Sequence, residues 1–162
     1  MVPEREALTW RDLRLAAWTL PARTVVALTL WAEARGQGAT GLAAVAWVIK
    51  RRVERRRLNY QHACLDPWQF SCWNATEDAN TRALGRMTHA VLAAQPIDDP
   101  SWPTCLRIAD GVIAGVLPDP VFGADHYLTT ALFQSAKCPG WAKDLTVASI
   151  VGAHTFLKER AT

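Results

Sequence analysis

Between residues 22 and 35 apolar side chains fill most positions. Val25, Val26, Leu28, Leu30 and Trp31 read as a helix buried on nearly all sides. Gly36 and Gly38 end it, as glycine commonly does at a helix C-terminus. Thr40 then reads as an N-cap. Leu42, Val45, Ala46, Ile49 and Val53 recur at helical spacing, so a second helix is expected to about Arg56. Residues 58–80 follow neither the helical nor the strand period. They read as a long aromatic-rich loop, of the kind that carries function in small domains. A third helix fits 79–94, with Leu84, Met87, Val91 and Ala94 on one face. Ser101 and Pro103 open a fourth, 102–116, with the face Ala109, Val112, Ile113 and Val116. Segments 123–130 and 145–157 are β-branched and aromatic and read as short strands. The expected class is α+β and helix-rich, with a small β-sheet formed largely by the C-terminal part. One domain is expected over 1–162, with an amphipathic N-terminal arm over 1–21 and a core over 22–158.

Composition agrees with a globular chain: half of the 162 residues are hydrophobic and a fifth are charged. Eighteen basic against fifteen acidic residues leave a net charge of +3, which favours anionic surroundings such as nucleic acid, lipid headgroups or bacterial wall polymers. Eight Trp stand against two Tyr and four Phe. Indole faces are platforms for flat ligands, sugar rings included, and also build cores. The first twenty residues are charged throughout and lack the order of a signal peptide, so synthesis in the cytoplasm is expected. No apolar run is long enough for a membrane span. Cys64, Cys72, Cys105 and Cys138 form no C-x-x-C pair, so buried free thiols are expected rather than zinc; a Cys64–Cys72 disulfide fits only an oxidising compartment. No metal or cofactor is expected.

One carboxylate interrupts the apolar run, Glu33, and it falls in the last turn before the glycines. The helix dipole there opposes a negative charge, and Trp31 and its apolar neighbours would add desolvation; both raise a carboxyl pKa. An acid tuned in this way can protonate a leaving group. A nearby Arg35 would act in the opposite direction.

The stretch WAEARGQGATGLAAVAWVIKRRV resembles the opening motif of the SleB-type cell wall hydrolases, the spore-cortex-lytic and phage-borne family, with its acid in EARGE followed by G…AVA.VI.NRV. CLDPWQFSCWN is similar to that family's QPGQFS or QFSCWN. GADHYLTT is similar to GATHY or GALYY, and WAKDLTVASIVGAHTFL to the terminal W…IG.H.F strand. The four motifs lie in order over about residues 24–157. The resemblance implies a lysozyme-like fold, cleavage of the glycan strand of peptidoglycan, and Glu33 as the catalytic acid. It places His126 and Tyr127 on the cleft opposite Glu33, where they are expected to bind substrate; His154 matches the terminal His of the motif and is read as a packing residue. Two departures stand out: Gln37 where a second Glu is usual, and Lys50-Arg51-Arg52 where NR is common, so that only Arg52 matches.

With two carboxylates, ordinary glycoside hydrolysis would follow. Asp66, Glu77, Asp78 and Asp125 are the alternatives for a second acid, and none stands out. With one acid, the sugar's own 6-hydroxyl can attack, the lytic transglycosylase outcome. Gln69, Phe70, Ser71, Trp73 and Asn74 offer amide, hydroxyl and flat-ring groups for sugar binding. The expected function is therefore cleavage of the MurNAc-GlcNAc strand by a monomeric phage or prophage endolysin that is released to the wall. A hydrolytic muramidase or glucosaminidase is the nearest alternative. The rival of another class is a nucleic-acid-binding helical protein, suggested by KRRVERRR at 50–57. Without an accompanying nucleic-acid motif it is disfavoured, as is a peptidase or amidase.

Overall fold

The computed structural model describes residues 9–74 and 78–160. Helix α1 covers Trp10–Ala17 and α2 covers Ala22–Ala34. After a 3₁₀ turn, α3 runs over Gly38–Arg56, followed by α4, Tyr60–Leu65. A second 3₁₀ turn, Ser71–Trp73, precedes α5 (Ala79–Leu92) and α6 (Trp102–Ile113). Strand β1 is His126–Thr129, then come the short helices α7 (Thr130–Phe133) and α8 (Gly140–Lys143), and last β2 (Thr146–Val151) and β3 (His154–Lys158).

Helix α2 is the hub, packed by α3, α4, α5 and α6. Its middle has no polar stripe because it has no solvent face: Val25 to Trp31 are all buried. Its lone buried hydroxyl, Thr29, donates to the Val25 carbonyl at 2.8 Å and accepts from the Trp73 indole at 2.9 Å. The break after α2 differs from the expected cap. Thr40 lies inside α3, and the corner is made by the turn Arg35–Gln37 and by Gly38. Gly38 has φ +71°, a conformation that glycine adopts without steric cost.

Residues 58–80 are not one irregular loop, since they contain α4 and the turn Ser71–Trp73. Six residues are too few to show a period, but Asn59 caps α4 by accepting from His62 N–H. Helix α1 is no loose arm: Leu13 and Ala17 are buried, and Trp10 stacks on Trp73 at 5.9 Å. Residues 1–8 of the expected arm lie outside the described residues.

The segment 145–157 is a hairpin of two strands, turning at Gly152-Ala153. The sheet order is β1-β3-β2, antiparallel throughout. Tyr127 pairs with Phe156 and His126 with Leu157. Alternation then sets the two faces. Tyr127 and Phe156 join the main core, while Leu128 and Leu157 close on Ala142, Phe133 and Leu145 in a smaller one. All four cysteines are free, and Cys64, Cys72 and Cys105 are buried.

Candidate active site

Glu33 stands in the last turn of α2, as its spacing implied, and the sheet is brought against that helix end. Tyr127 Oη donates to Glu33 Oε2 at 2.7 Å, and the backbone N–H of Cys72 donates to Oε1 at 3.3 Å. The two donors hold the carboxylate in one orientation. The longer bond leaves Oε1 as the oxygen freer to exchange a proton. Burial, reinforced by the adjacent Glu33 charge, pushes the Tyr127 phenol well above its ordinary pKa. It therefore stays protonated and remains a donor.

The expected apolar neighbour, Trp31, is not at the carboxylate. Its ring lies under the Arg35 guanidinium at 4.1 Å. Arg35 itself donates to the carbonyls of Trp31 and Ala32 and to Asn80 Oδ1, and so turns away from Glu33. Successive helix positions point about 100° apart, which is why neighbours in sequence are not neighbours here. Phe70, Tyr127 and His154 line the Glu33 cleft instead, with Ser71, Gln69, Thr129 and Leu132 at its walls. The cleft holds about 260 Å³.

The binding stretch divides. Gln69, Phe70 and Ser71 line the cleft, although Phe70 is largely buried and packs near Tyr127 at 6.4 Å between ring centroids. Trp73 does not line it. It is 1 % exposed, stacked on Trp10 and bonded to Thr29, and it is core. Asn74 ends the 3₁₀ turn, its N–H on the Ser71 carbonyl, and does not line the cleft either. A 3₁₀ turn sends successive side chains about 120° apart, so Ser71 and Trp73 face different surroundings.

His126 is separated from Tyr127 by strand alternation. It does not line the Glu33 cleft; its Nδ1 lies 2.9 Å from Asp125 Oδ1 and its ring 5.5 Å from Trp141. His154 is more than packing, because it lines the cleft edge-on to Tyr127 at 5.2 Å. Burial lowers its pKa against an opposing pull from Glu33.

Among the described residues, none of the alternatives for a second acid lines the cleft. Asp66 sits 3.0 Å from His62. Asp78 caps α5 through Thr81 N–H. Asp125 is bound by Arg55 at 2.6 Å and by His126. Glu77 lies outside the described residues. Gln37, at the position of a usual second Glu, accepts from Ala153 N–H at 3.0 Å and ties the hairpin turn to the 3₁₀ turn after α2. Among the described residues Glu33 is the only carboxylate lining this cleft.

The basic run also has a structural use that spacing did not reveal. Lys50 donates to the carbonyls of Val112 and Ile113, and Arg51 pairs with Glu54 and Asp119. Arg55 pairs with Asp125 and Arg56 with Gln69 Oε1. Arg52 is buried; it donates to the carbonyls of Asp125 and Gln69 and lies over Phe70 at 4.9 Å. Arg52 thus clamps the Gln69–Phe70 stretch to the start of β1.

Asp66 C=O accepts from Gln69 N–H across a turn with Pro67 and Trp68 at its corner. Trp68 has φ +66°, where the similar motif QPGQFS carries glycine. A non-glycine residue there costs about 1–2 kcal/mol.

The model of the cell wall hydrolase family matches residues 36–157. The chain belongs to the cell wall hydrolase family. The match begins three residues after Glu33, but likeness of structure extends further. The catalytic domain of the germination-specific lytic transglycosylase SleB from Bacillus anthracis is 21 % identical, with a TM-score of 0.54 over 85 % of this chain and 93 % of that one. The catalytic domain of the Bacillus cereus SleB protein is 18 % identical, with a TM-score of 0.52 over 98 % of each chain. No curated protein matches the sequence. The family's fold is therefore present: helix-rich α+β, lysozyme-like, with its small sheet near the C-terminus. Burial, and then the Glu33 charge, push the Cys72 thiol well above its ordinary pKa, and burial pushes Cys64 up to about 12.

Proposed function

We propose that this cell wall hydrolase cuts the glycan strand of peptidoglycan between MurNAc and GlcNAc by lytic transglycosylation, with Glu33 as acid and then base. The observation that carries the reading is the cleft whose described lining contains one carboxylate. A glycosidase needs a second carboxyl group about 5–10 Å across the bond, as nucleophile or to activate water. The SleB domain from B. anthracis bears the name of a lytic transglycosylase, which agrees with a single-acid site.

In the proposed reaction Glu33 gives its proton to the bridging oxygen as the bond from that oxygen to the MurNAc anomeric carbon breaks. The resulting carboxylate takes the proton of the MurNAc 6-hydroxyl, whose oxygen closes on the anomeric carbon. The products are a 1,6-anhydroMurNAc end and a GlcNAc with a free 4-hydroxyl, and Glu33 is again protonated. Tyr127 and Cys72 N–H hold the carboxylate through both halves. Phe70 limits water beside the internal nucleophile. Gln69, Ser71 and Thr129 supply hydrogen-bonding groups at the walls.

The cellular setting we propose is that of a phage or prophage lysin released to the wall. Expression together with a membrane-permeabilising partner should lyse host cells, and expression alone should not. The reaction is tested by digesting purified peptidoglycan in ¹⁸O-labelled water and weighing the muropeptides. Unlabelled anhydro ends are expected. Label at reducing ends would show that water attacked and that a second group serves the site. Freed peptides with intact glycan would overturn glycan cleavage itself.

A further inference from the structure

A second depression of about 330 Å³ adjoins the Glu33 cleft. Trp68, Trp141, His126 and Arg56 line it, and Arg52, Gln69 and Tyr127 line both hollows, so the two are continuous along one wall. Its volume suits a small ligand group, at the low end of the ~300–1,000 Å³ usual for binding pockets. Its aromatic side chains are open: Trp68 is 83 % exposed and Trp141 46 % exposed. No packing need accounts for Trp68. It stands at the corner of its turn with φ +66°, in a conformation that glycine would adopt freely. An indole held out to solvent at a strained corner contributes little to the core; with Trp141 in the same hollow it leaves flat apolar faces open to a ligand.

The polar half of the hollow is organised as well. Arg56 is held on Gln69 Oε1 at 2.8 Å. The His126 ring is fixed between Asp125 and Trp141. Flat apolar faces beside fixed nitrogen donors suit a pyranose ring that bears an acidic arm.

We infer that this depression is a neighbouring glycan subsite that holds a muramyl-type amino sugar, with Trp68 and Trp141 against the ring and Arg56 toward the carboxylates of its substituent. The inference rests on the glycan reading of the Glu33 cleft. Trp68 acts here as a binding residue, outside the reacting groups.

The test compares Trp68→Gly, Trp68→Phe and the parent enzyme in initial rate against purified peptidoglycan concentration, alongside melting temperature. For Trp68→Gly the half-saturating concentration should rise about three- to tenfold, the scale of one lost aromatic contact. Its maximal rate should hold within about twofold, as expected for uniform binding. Its melting temperature should hold or rise, because the strained corner relaxes, and Trp68→Phe should recover part of the binding. Trp141→Ala should weaken saturation in the same sense. A Trp68→Gly enzyme that saturates as the parent does, on walls the parent cleaves, overturns the subsite alone. A parent enzyme that neither binds nor cleaves glycan overturns the glycan reading and the subsite with it.

Discussion

The phenol of Tyr127 donates to Glu33 Oε2 over 2.7 Å, joining the first strand of the sheet to the end of the central helix across 94 positions of sequence. One bond thus links the fold's two halves at the carboxylate proposed to do the chemistry. Glu33→Gln keeps an acceptor for Tyr127 and loses the transferable proton. Wall-cleaving activity should fall by at least about 10²-fold, with the melting temperature little changed. Near-parental cleavage by the folded variant would remove Glu33 from the reaction.

Tyr127→Phe leaves the ring against Phe156, at 5.4 Å between centroids, and removes only the hydroxyl. We expect the maximal rate to fall about tenfold, as when a charge-assisted bond worth about 1.5 kcal/mol is lost, with a changed pH–rate profile. An unchanged profile and rate would make the tyrosine a packing residue.

Trp73→Ala should unfold or strongly destabilise the protein, because the indole is buried on Trp10 and bonded to Thr29. A loss of about 3–5 kcal/mol is expected by denaturant titration. A stable variant defective only in wall binding would return Trp73 to the cleft.

His154 ties stability to pH. Its folded-state pKa lies below the ordinary 6.5, with burial as the first cause. The unfolded chain therefore binds the proton more readily. The contribution is fully present above about pH 6.5 and is lost as pH falls through the lower folded value. The melting temperature of the parent should drop over that window more than that of His154→Gln; parallel curves would assign the drop to other groups.

Gln37→Ala should cost roughly 0.5–1.5 kcal/mol, one hydrogen bond to the hairpin turn at Ala153. It should leave the maximal rate within a few-fold. A collapse of activity at unchanged stability would instead place Gln37 in the chemistry.

By itself the sequence determined what local chemistry can encode. The apolar run 25–31 meant a buried helix, because no other placement hides so many side chains. Glu33 stood out as the one carboxylate at the end of that helix, and its motif named the family. The strand character of the C-terminal part was legible from its β-branched residues. Tertiary structure decided which side chains meet. Alternation along β1 turned Tyr127 to Glu33 and His126 to Trp141, a choice set by the pairing with β3. A 3₁₀ turn put Ser71 at the cleft and Trp73 in the core, although only Cys72 separates them. The basic run looked like a solvated or nucleic-acid-binding face, and only the packing of α3 revealed that Arg52 clamps the cleft wall and that Lys50, Arg51, Arg55 and Arg56 have partners far along the chain. Periodicity reports how much surface a segment buries; the partner it buries against is a property of the whole chain's packing, which no local pattern carries.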